Sequence, residues 1–184
     1  MPHIVIGHVI GTVTLLMMFF AIGNYYTDYF AVLSKDAYQN QLKQISNYLS
    51  SNLVDLVTLA EITPGNQFLV KQVNMPYSIN ENLYNIGLTW QNSPNGNYQV
   101  VHLTASMPKT DQYVAVDLPY SNNSLVKIYS NENIPPGYLL IANHISSDAA
   151  LSKATITRKV TALMVWCLKN GDDITIGFGV MSLN

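Results

Sequence analysis

The sequence has little charge of either sign. Of its 184 residues only 9 are Lys or Arg and 11 are Asp or Glu, so charged side chains make up 11% of the chain and the formal net charge is −2. Ordinary soluble domains carry about 25% charged residues. This balance provides no basic stripe for a nucleic-acid partner, and we expect no nucleic acid to bind. It also provides no field that would steer a charged substrate.

Cysteine is almost absent as well. The only cysteine is Cys167, which excludes a disulfide within the chain. It lies in the apolar run ALMVWCL at residues 162–168. This setting predicts a small buried apolar side chain in preference to a reactive thiol.

The residue patterns of common catalytic and metal sites are missing too. The histidines are His3, His8, His102 and His144. None of them lies in an H-x-x-x-H or H-x-E spacing, so we expect no zinc site. The sequence also has no Walker loop and no G-x-S-x-G nucleophile elbow. It therefore predicts no cofactor and gives least support to an enzyme.

A long apolar run opens the chain, and residues 1–27 contain no charged side chain. As a helix, residues 4–22 would span about 28 Å, close to the ~30 Å of a bilayer core. Tyr25, Tyr26 and Tyr29 follow, in the manner of an interfacial aromatic belt. We expect this segment to insert in a membrane and to be retained, because it lacks the basic region and the small-x-small site of a cleaved signal. The alternative is a cleaved signal before a soluble secreted domain.

Two glycines in this run, Gly7 and Gly11, form a G-x-x-x-G pair on one helix face. This spacing lets two helices approach closely in an apolar medium, although membrane helices also tolerate isolated glycines. If copies of the chain pack through this segment, bulky neighbours would fill the space between them. The predicted assembly residues are Gly7, Gly11, Leu15, Leu16, Phe19 and Phe20.

The helical pattern continues beyond the apolar run. Apolar residues recur every three or four positions at Tyr38, Leu42, Ile45, Leu49, Leu53, Leu56 and Ala60. This spacing places them in one stripe of a helix. The turn sequence TPGN at residues 63–66 ends the pattern. We therefore predict one long helix over residues 3–61, whose first half is apolar all round and whose second half needs a packing partner.

The remainder of the chain has the pattern of short strands. Runs rich in Val, Ile, Thr and Tyr alternate with Gly, Pro and Asn turns, which is typical of an antiparallel sandwich or barrel. The predicted strands are 67–73, 85–91, 98–105, 112–118, 125–130, 138–143, 154–160, 162–168 and 173–181. The fold is therefore predicted as α+β, with a helical domain at 1–62 and a β-rich domain at 63–184.

Three local features of the β-rich region carry separate predictions. Asn170-Gly171 would supply the two positive-φ positions of a type I′ hairpin turn. Gly177 and Gly179 lie on one face of a predicted strand, which indicates either a bulge or close packing. Asn122 begins an N-x-S sequon in a predicted turn and is a possible glycan site if this domain lies outside the cell.

The order of these elements resembles the archaeal type IV pilin and archaellin superfamily. The resemblance rests on IVIGHVIGTVTLLMMFFAIGNYYTDYF, on its continuation LKQISNYLSSNLVDLVTLA and on a β-rich region ending in VWCLKNGDDITIGFGV. It implies a helix that lies in the membrane before assembly and then packs with its copies in the core of a filament on the cell surface. The β-rich domains would form the outer wall and carry any adhesion. The alternative is a membrane-anchored accessory, or minor pilin-like binding module, that does not polymerise.

Overall fold

A computed structural model of the protein describes residues 2–93, 98–129, 140–147 and 160–183. Within these ranges the chain forms one long helix followed by two mostly antiparallel sheets, which confirms the predicted α+β class. The helix is α1, Pro2–Ile62. The strands are β1 Gln67–Gln72, β2 Asn85–Asn92, β3 Gln99–Met107, β4 Gln112–Ser121, β5 Val126–Ile128, β6 Leu140–Ala142, β7 His144–Ser146, β8 Val160–Asn170 and β9 Asp173–Leu183.

Most of the predicted strands are confirmed with small shifts at their ends. The predictions differ from the structure in two places, at the predicted strand 154–160 and at the short strand β7, which the sequence did not predict. Residues 154–159 lie outside the described residues, and Val160 is the first residue of β8. Strand β7 was not predicted, because three residues are too few to show an alternating pattern.

The chain divides into two compact units, Met1–Tyr38 and Gln39–Asn184. The division falls inside α1, so the second half of the helix belongs to the same unit as the sheets. The predicted boundary at residue 62 coincides with the end of α1. The division into domains 1–62 and 63–184 stays a prediction.

The first sheet has the order β1-β8-β9-β5, and β6 also pairs with β9. Strands β8 and β9 form a hairpin whose register runs from Val160 opposite Leu183 to Asn170 opposite Asp173. Because Asn170 pairs with Asp173, the central turn residues are Gly171 and Asp172. Of the turn residues only Gly171 has a positive φ, 64°. The predicted type I′ turn is therefore wrong, and the φ pattern is that of a type II′ turn with glycine first.

The glycines Gly177 and Gly179 serve close packing. The register between β8 and β9 is uninterrupted and places Trp166 opposite Gly177 and Met164 opposite Gly179, so no bulge occurs here. Directly paired residues share a face of the sheet, and a glycine leaves its position empty for the large side chain opposite. The indole Nε1–H of Trp166 donates to the backbone carbonyl of Phe178 at 3.0 Å.

The second sheet has the order β4-β3-β2-β7. Burial alternates along β3, where every second residue from Val101 to Met107 is buried. This is the pattern of a strand with one face on the core and one toward solvent. A shift of register between Val100 and His102 interrupts the pairing of β3 with β4.

The predicted stripe on the second half of α1 forms part of the core. Leu42, Leu49 and Leu53 are fully buried, and the remaining stripe residues from Ile45 to Ala60 are buried as well. The helix contacts the first sheet through Lys169 of β8, whose Nζ lies 2.8 Å from the carbonyl oxygen of Ala60. Alternate residues of a strand share a face. The buried residues Leu163, Val165 and Cys167 therefore lie on the same side of β8 as Lys169, which is the side of the helix.

Candidate assembly surface

The first compact unit exposes the apolar residues that the sequence predicts for assembly. Leu15 and Phe20 are each 68% exposed, Phe19 is 73% exposed and Leu16 is 50% exposed. Further large apolar side chains from Val9 to Leu33 are also exposed. A helix that is apolar on all sides needs a surrounding apolar medium, either lipid or other protein. The described part of this unit provides no such cover within the chain.

Gly7 and Gly11 lie at a shallow depression on this helix. Apart from the adjacent residues and the backbone of the neighbouring helix turns, no atom lies within 4 Å of the Cβ position that an alanine would occupy at either glycine. The depression has a volume of about 410 Å³ and is lined by Gly7, His8, Gly11, Thr12 and Leu15. Three predicted assembly residues therefore share one surface, whereas Leu16, Phe19 and Phe20 do not line it. A helix of a second copy could approach the α1 backbone most closely here.

The threonines of this unit need no water to satisfy their hydroxyl groups. Thr12 Oγ1 donates to the carbonyl of His8 at 2.8 Å, and Thr14 Oγ1 donates to that of Ile10 at 2.9 Å. Such bonds to the preceding turn are the way in which hydroxyl side chains are accommodated in an apolar helix. The hydroxyls therefore do not oppose burial of this surface in lipid or protein.

An aromatic cluster follows the apolar stretch. The rings of Tyr25 and Tyr29 stack at 6.4 Å, and Tyr26 and Phe30 make edge contacts with them. These side chains are all at least half exposed. Tyrosine combines an apolar ring with a polar hydroxyl, so the cluster suits the boundary between an apolar region and water.

Among the described residues one helix, Gly7–Ile62, is long and apolar enough to cross a membrane, judged by length and composition. Its most apolar stretch is not buried within the chain. Membrane anchors and secretory signals both meet this criterion. The segment is therefore long and apolar enough to serve as a membrane anchor or as a secretory signal.

The predicted glycan site, Asn122, is exposed directly after β4. Its Oδ1 accepts a hydrogen bond from the backbone N–H of Gln99 at 3.2 Å, while its backbone N–H donates to the Gln99 carbonyl at 2.9 Å. The sequon serine, Ser124, donates its hydroxyl to the carbonyl of Ser121 at 2.6 Å. The amide therefore lies in a hydrogen-bonded turn on an exposed residue.

One of the pairings of titratable groups in the described residues joins a histidine to a carboxylate, which the sequence did not predict. His102 Nδ1 lies 2.9 Å from Asp117 Oδ1, across β3 and β4. No group of three or more His, Cys, Asp or Glu side chains that could hold a metal occurs in the described ranges. His8 and His144 are exposed and lie on other elements, and the side chain of His3 lies outside the described residues. A histidine–carboxylate pair alone lacks the third ligand of a metal site.

Comparison with known proteins adds no assignment. No protein-family model, curated protein or solved structure matches this chain. The resemblance to archaeal pilins therefore stays a prediction, and the candidate assembly surface is argued from the geometry of α1.

Proposed function

We propose that this protein is the structural subunit of an extracellular, type IV pilus-like filament, assembled through the apolar first half of α1. The observation that carries the proposal is the contrast within this one helix. Phe19 is 73% exposed, whereas Leu49 and Leu53 in the second half are fully buried within the chain. The apolar side chains of the first half are therefore left uncovered by the chain, whereas those of the stripe in the second half are covered.

The assembly would be driven by burial of this surface. In lipid, the helix is stable because its side chains are apolar and its backbone and threonine groups are satisfied internally. In a polymer, copies of the helix would exclude water from a shared core. The open surface at Gly7 and Gly11 would allow close approach, and the exposed side chains of Leu15, Phe19 and Phe20 would fill the remaining space.

The low charge of the chain favours dense packing of subunits. Only 11% of the residues are charged and the net charge is −2, so neighbouring copies would repel each other weakly. Helix α1 also continues from the exposed half into the buried half without a Gly/Ser/Pro linker. A tethered binding module more often has a flexible linker between anchor and domain.

The test is negative-stain electron microscopy of material sheared from cells, with mass spectrometry of the same material. We expect thin filaments composed of this chain with residues 4–22 still present. A strain lacking the gene is the control and should lose these filaments. Recovery of the chain only from detergent-extracted membranes, with no filaments, would overturn the proposal and favour a membrane-anchored accessory module. Recovery only as a soluble chain cleaved near residue 23 would overturn both.

A further inference from the structure

A second surface lies within the larger unit, between α1 and the connection from β1 to β2. Gln41, Gln44, Ile45 and Tyr48 of the helix form one wall of a pocket. Residues of the 74–80 segment, among them Ser78 and Asn80, form the other. The pocket has a volume of about 530 Å³. Small-molecule sites commonly have volumes of about 300–1,000 Å³, so this pocket is large enough for a ligand of one or two rings.

The lining of the pocket combines polar and apolar side chains and carries no charge. It has no Asp, Glu, Lys, Arg or His among its residues. Side-chain amides contribute much of its polar lining, from Gln41, Gln44, Asn74 and Asn80. An amide offers both donors and an acceptor, which matches the mixed donor and acceptor character of a hydroxyl group. A charged ligand would lose water here without gaining an ionic partner.

The lining also has apolar side chains. Ile45 and Ile79 are buried, and the ring of Tyr48 is partly exposed at 42%. The face of an aromatic ring carries partial negative charge and attracts the weakly positive C–H groups on one face of a saturated ring. A lining that combines apolar side chains, an aromatic ring and amides suits a ligand with an apolar face and hydroxyl groups at its edge.

The loop side of the pocket is held by specific contacts. Ile79 and Asn82 exchange two backbone hydrogen bonds, at 2.9 and 3.0 Å, around a turn with φ of 45° at Asn80 and 65° at Glu81. The hydroxyl of the fully buried Tyr84 donates to the carbonyl of Pro76 at 2.5 Å. Burial raises the pKa of this hydroxyl, so it remains protonated and able to donate.

The turn conformation is itself costly. Positive φ at two successive non-glycine residues is unfavourable, and strain of this kind persists where the surrounding contacts impose it. Asn82 Nδ2 donates to the Asn80 carbonyl at 3.1 Å and adds to those contacts. These contacts hold the loop side of the pocket in one conformation, and a preformed site lowers the cost of binding.

We propose that this pocket binds a neutral sugar unit of an oligosaccharide. The sugar ring would lie against Tyr48, and its hydroxyl groups would bond to the amides of Gln41, Gln44 and Asn80. The site is independent of filament formation, because every residue that lines it belongs to the unit Gln39–Asn184. The sugar could belong to a foreign surface or to a glycan at Asn122 of another copy.

The test is saturation-transfer NMR on the full chain, held in a detergent without a sugar headgroup. The probes are methyl glycosides of glucose, galactose and mannose and the matching disaccharides, at concentrations up to about 10 mM. We expect saturable binding of at least one neutral glycoside with a dissociation constant of about 1 mM or lower. Glucuronic acid should bind at least about tenfold more weakly, because its carboxylate finds no partner.

Paired variants separate the pocket from the rest of the surface. Tyr48→Ala and Gln44→Ala should each weaken binding at least about fivefold, while alanine preserves the helix. Tyr77→Ala and Gln39→Ala are the matched controls, since both residues are exposed and lie outside the pocket lining. In cell-derived material, greater uptake of the probe by Asn122→Gln would identify the chain's own glycan as the sugar, and equal uptake would identify a foreign one. No saturable binding, or equal binding by Tyr48→Ala and Tyr77→Ala, would overturn the proposal.

Discussion

The Nζ of Lys169, in strand β8, donates to the backbone carbonyl of Ala60 near the end of α1 at 2.8 Å. It also donates to the carbonyl of Thr63 at 2.9 Å. The last carbonyls of a helix lack partners within the helix and carry partial negative charge. Helix α1 has no basic residue in its own last turn, so a residue more than one hundred positions later in the chain supplies the cation.

We therefore expect Lys169→Met to destabilise the larger unit. The substitution keeps most of the apolar stem but removes two partly buried charge-assisted hydrogen bonds, at a cost of about 2 kcal/mol. The measurement is thermal unfolding of the full chain in detergent, where the midpoint should fall by roughly 4–8 °C.

The control for this prediction is Lys127→Met. Lys127 pairs with Asp173 at 2.6 Å, but both side chains are more than half exposed. Exposed ion pairs contribute about 0–1 kcal/mol, so this variant should unfold close to the wild type. Equal falls of the unfolding midpoint in the two variants would show that the contact with the helix end stabilises the protein no more than an exposed ion pair does.

The hairpin turn gives a prediction that isolates backbone strain. Gly171 has a φ of 64°, and no atom lies within 4 Å of the Cβ position of an alanine there. Gly171→Ala should therefore cost about 1–2 kcal/mol from the backbone alone, without a clash. Gly171→Asn should cost a similar amount, because the first central position of a type II′ turn lies outside the left-handed α region that asparagine tolerates. Urea unfolding of the three proteins measures the difference, and an alanine variant as stable as the wild type would contradict it.

Regular patterns made much of the larger unit predictable. The stripe from Leu42 to Ala60 repeats with the period of a helix, and its residues are buried as expected. The strands of the hairpin were also predicted, because the glycine turn separates two apolar runs. The prediction of a type I′ turn was wrong, because the turn type depends on the register that pairs Asn170 with Asp173.

The features that the sequence did not predict depend on contacts between distant segments. Ser46 and Asn52 are buried on α1 although both are polar, and Asn52 satisfies its amide at the carbonyl of Tyr48. The contact of His102 with Asp117 needs the register of β3 and β4, which no local pattern provides. The sugar pocket likewise requires the 74–80 loop to lie against α1.

The stability of the core should depend on the ionisation of Cys167 at alkaline pH. Burial, and to a lesser degree the Glu61 carboxylate, raises the pKa of this thiol to about 12 from its ordinary value of 9.0, against a lowering effect of Lys169. The unfolded chain therefore loses its proton first as pH rises. The stabilisation is present below about pH 9 and declines as the pH approaches 12.

We expect Cys167→Ala to reduce this pH dependence. The unfolding free energy of the wild type should fall more between pH 8 and pH 11 than that of the variant, whatever their difference at pH 8. Tyr113→Phe is the control, because its hydroxyl belongs to a side chain that is 55% exposed. Identical falls in the wild type and in Cys167→Ala would contradict the assigned role of burial.

The close-approach surface at Gly7 and Gly11 should be required for filament assembly, a prediction that rests on the proposed function. Leucine at either position would project into the depression that both glycines line and would hold a neighbouring helix away. Gly7→Leu and Gly11→Leu should therefore abolish the filaments seen by electron microscopy or reduce their number, while the chain remains in the membrane fraction.

Gly23→Leu provides the matched control for this substitution. Gly23 lies on the same helix in equally open surroundings, but it does not line the depression. This variant should assemble as the wild type does, because the added side chain lies away from the predicted contact. Normal filaments from Gly7→Leu and Gly11→Leu would remove the role of these glycines. Loss of filaments in all three variants would show that assembly needs the whole helix surface and not this depression in particular.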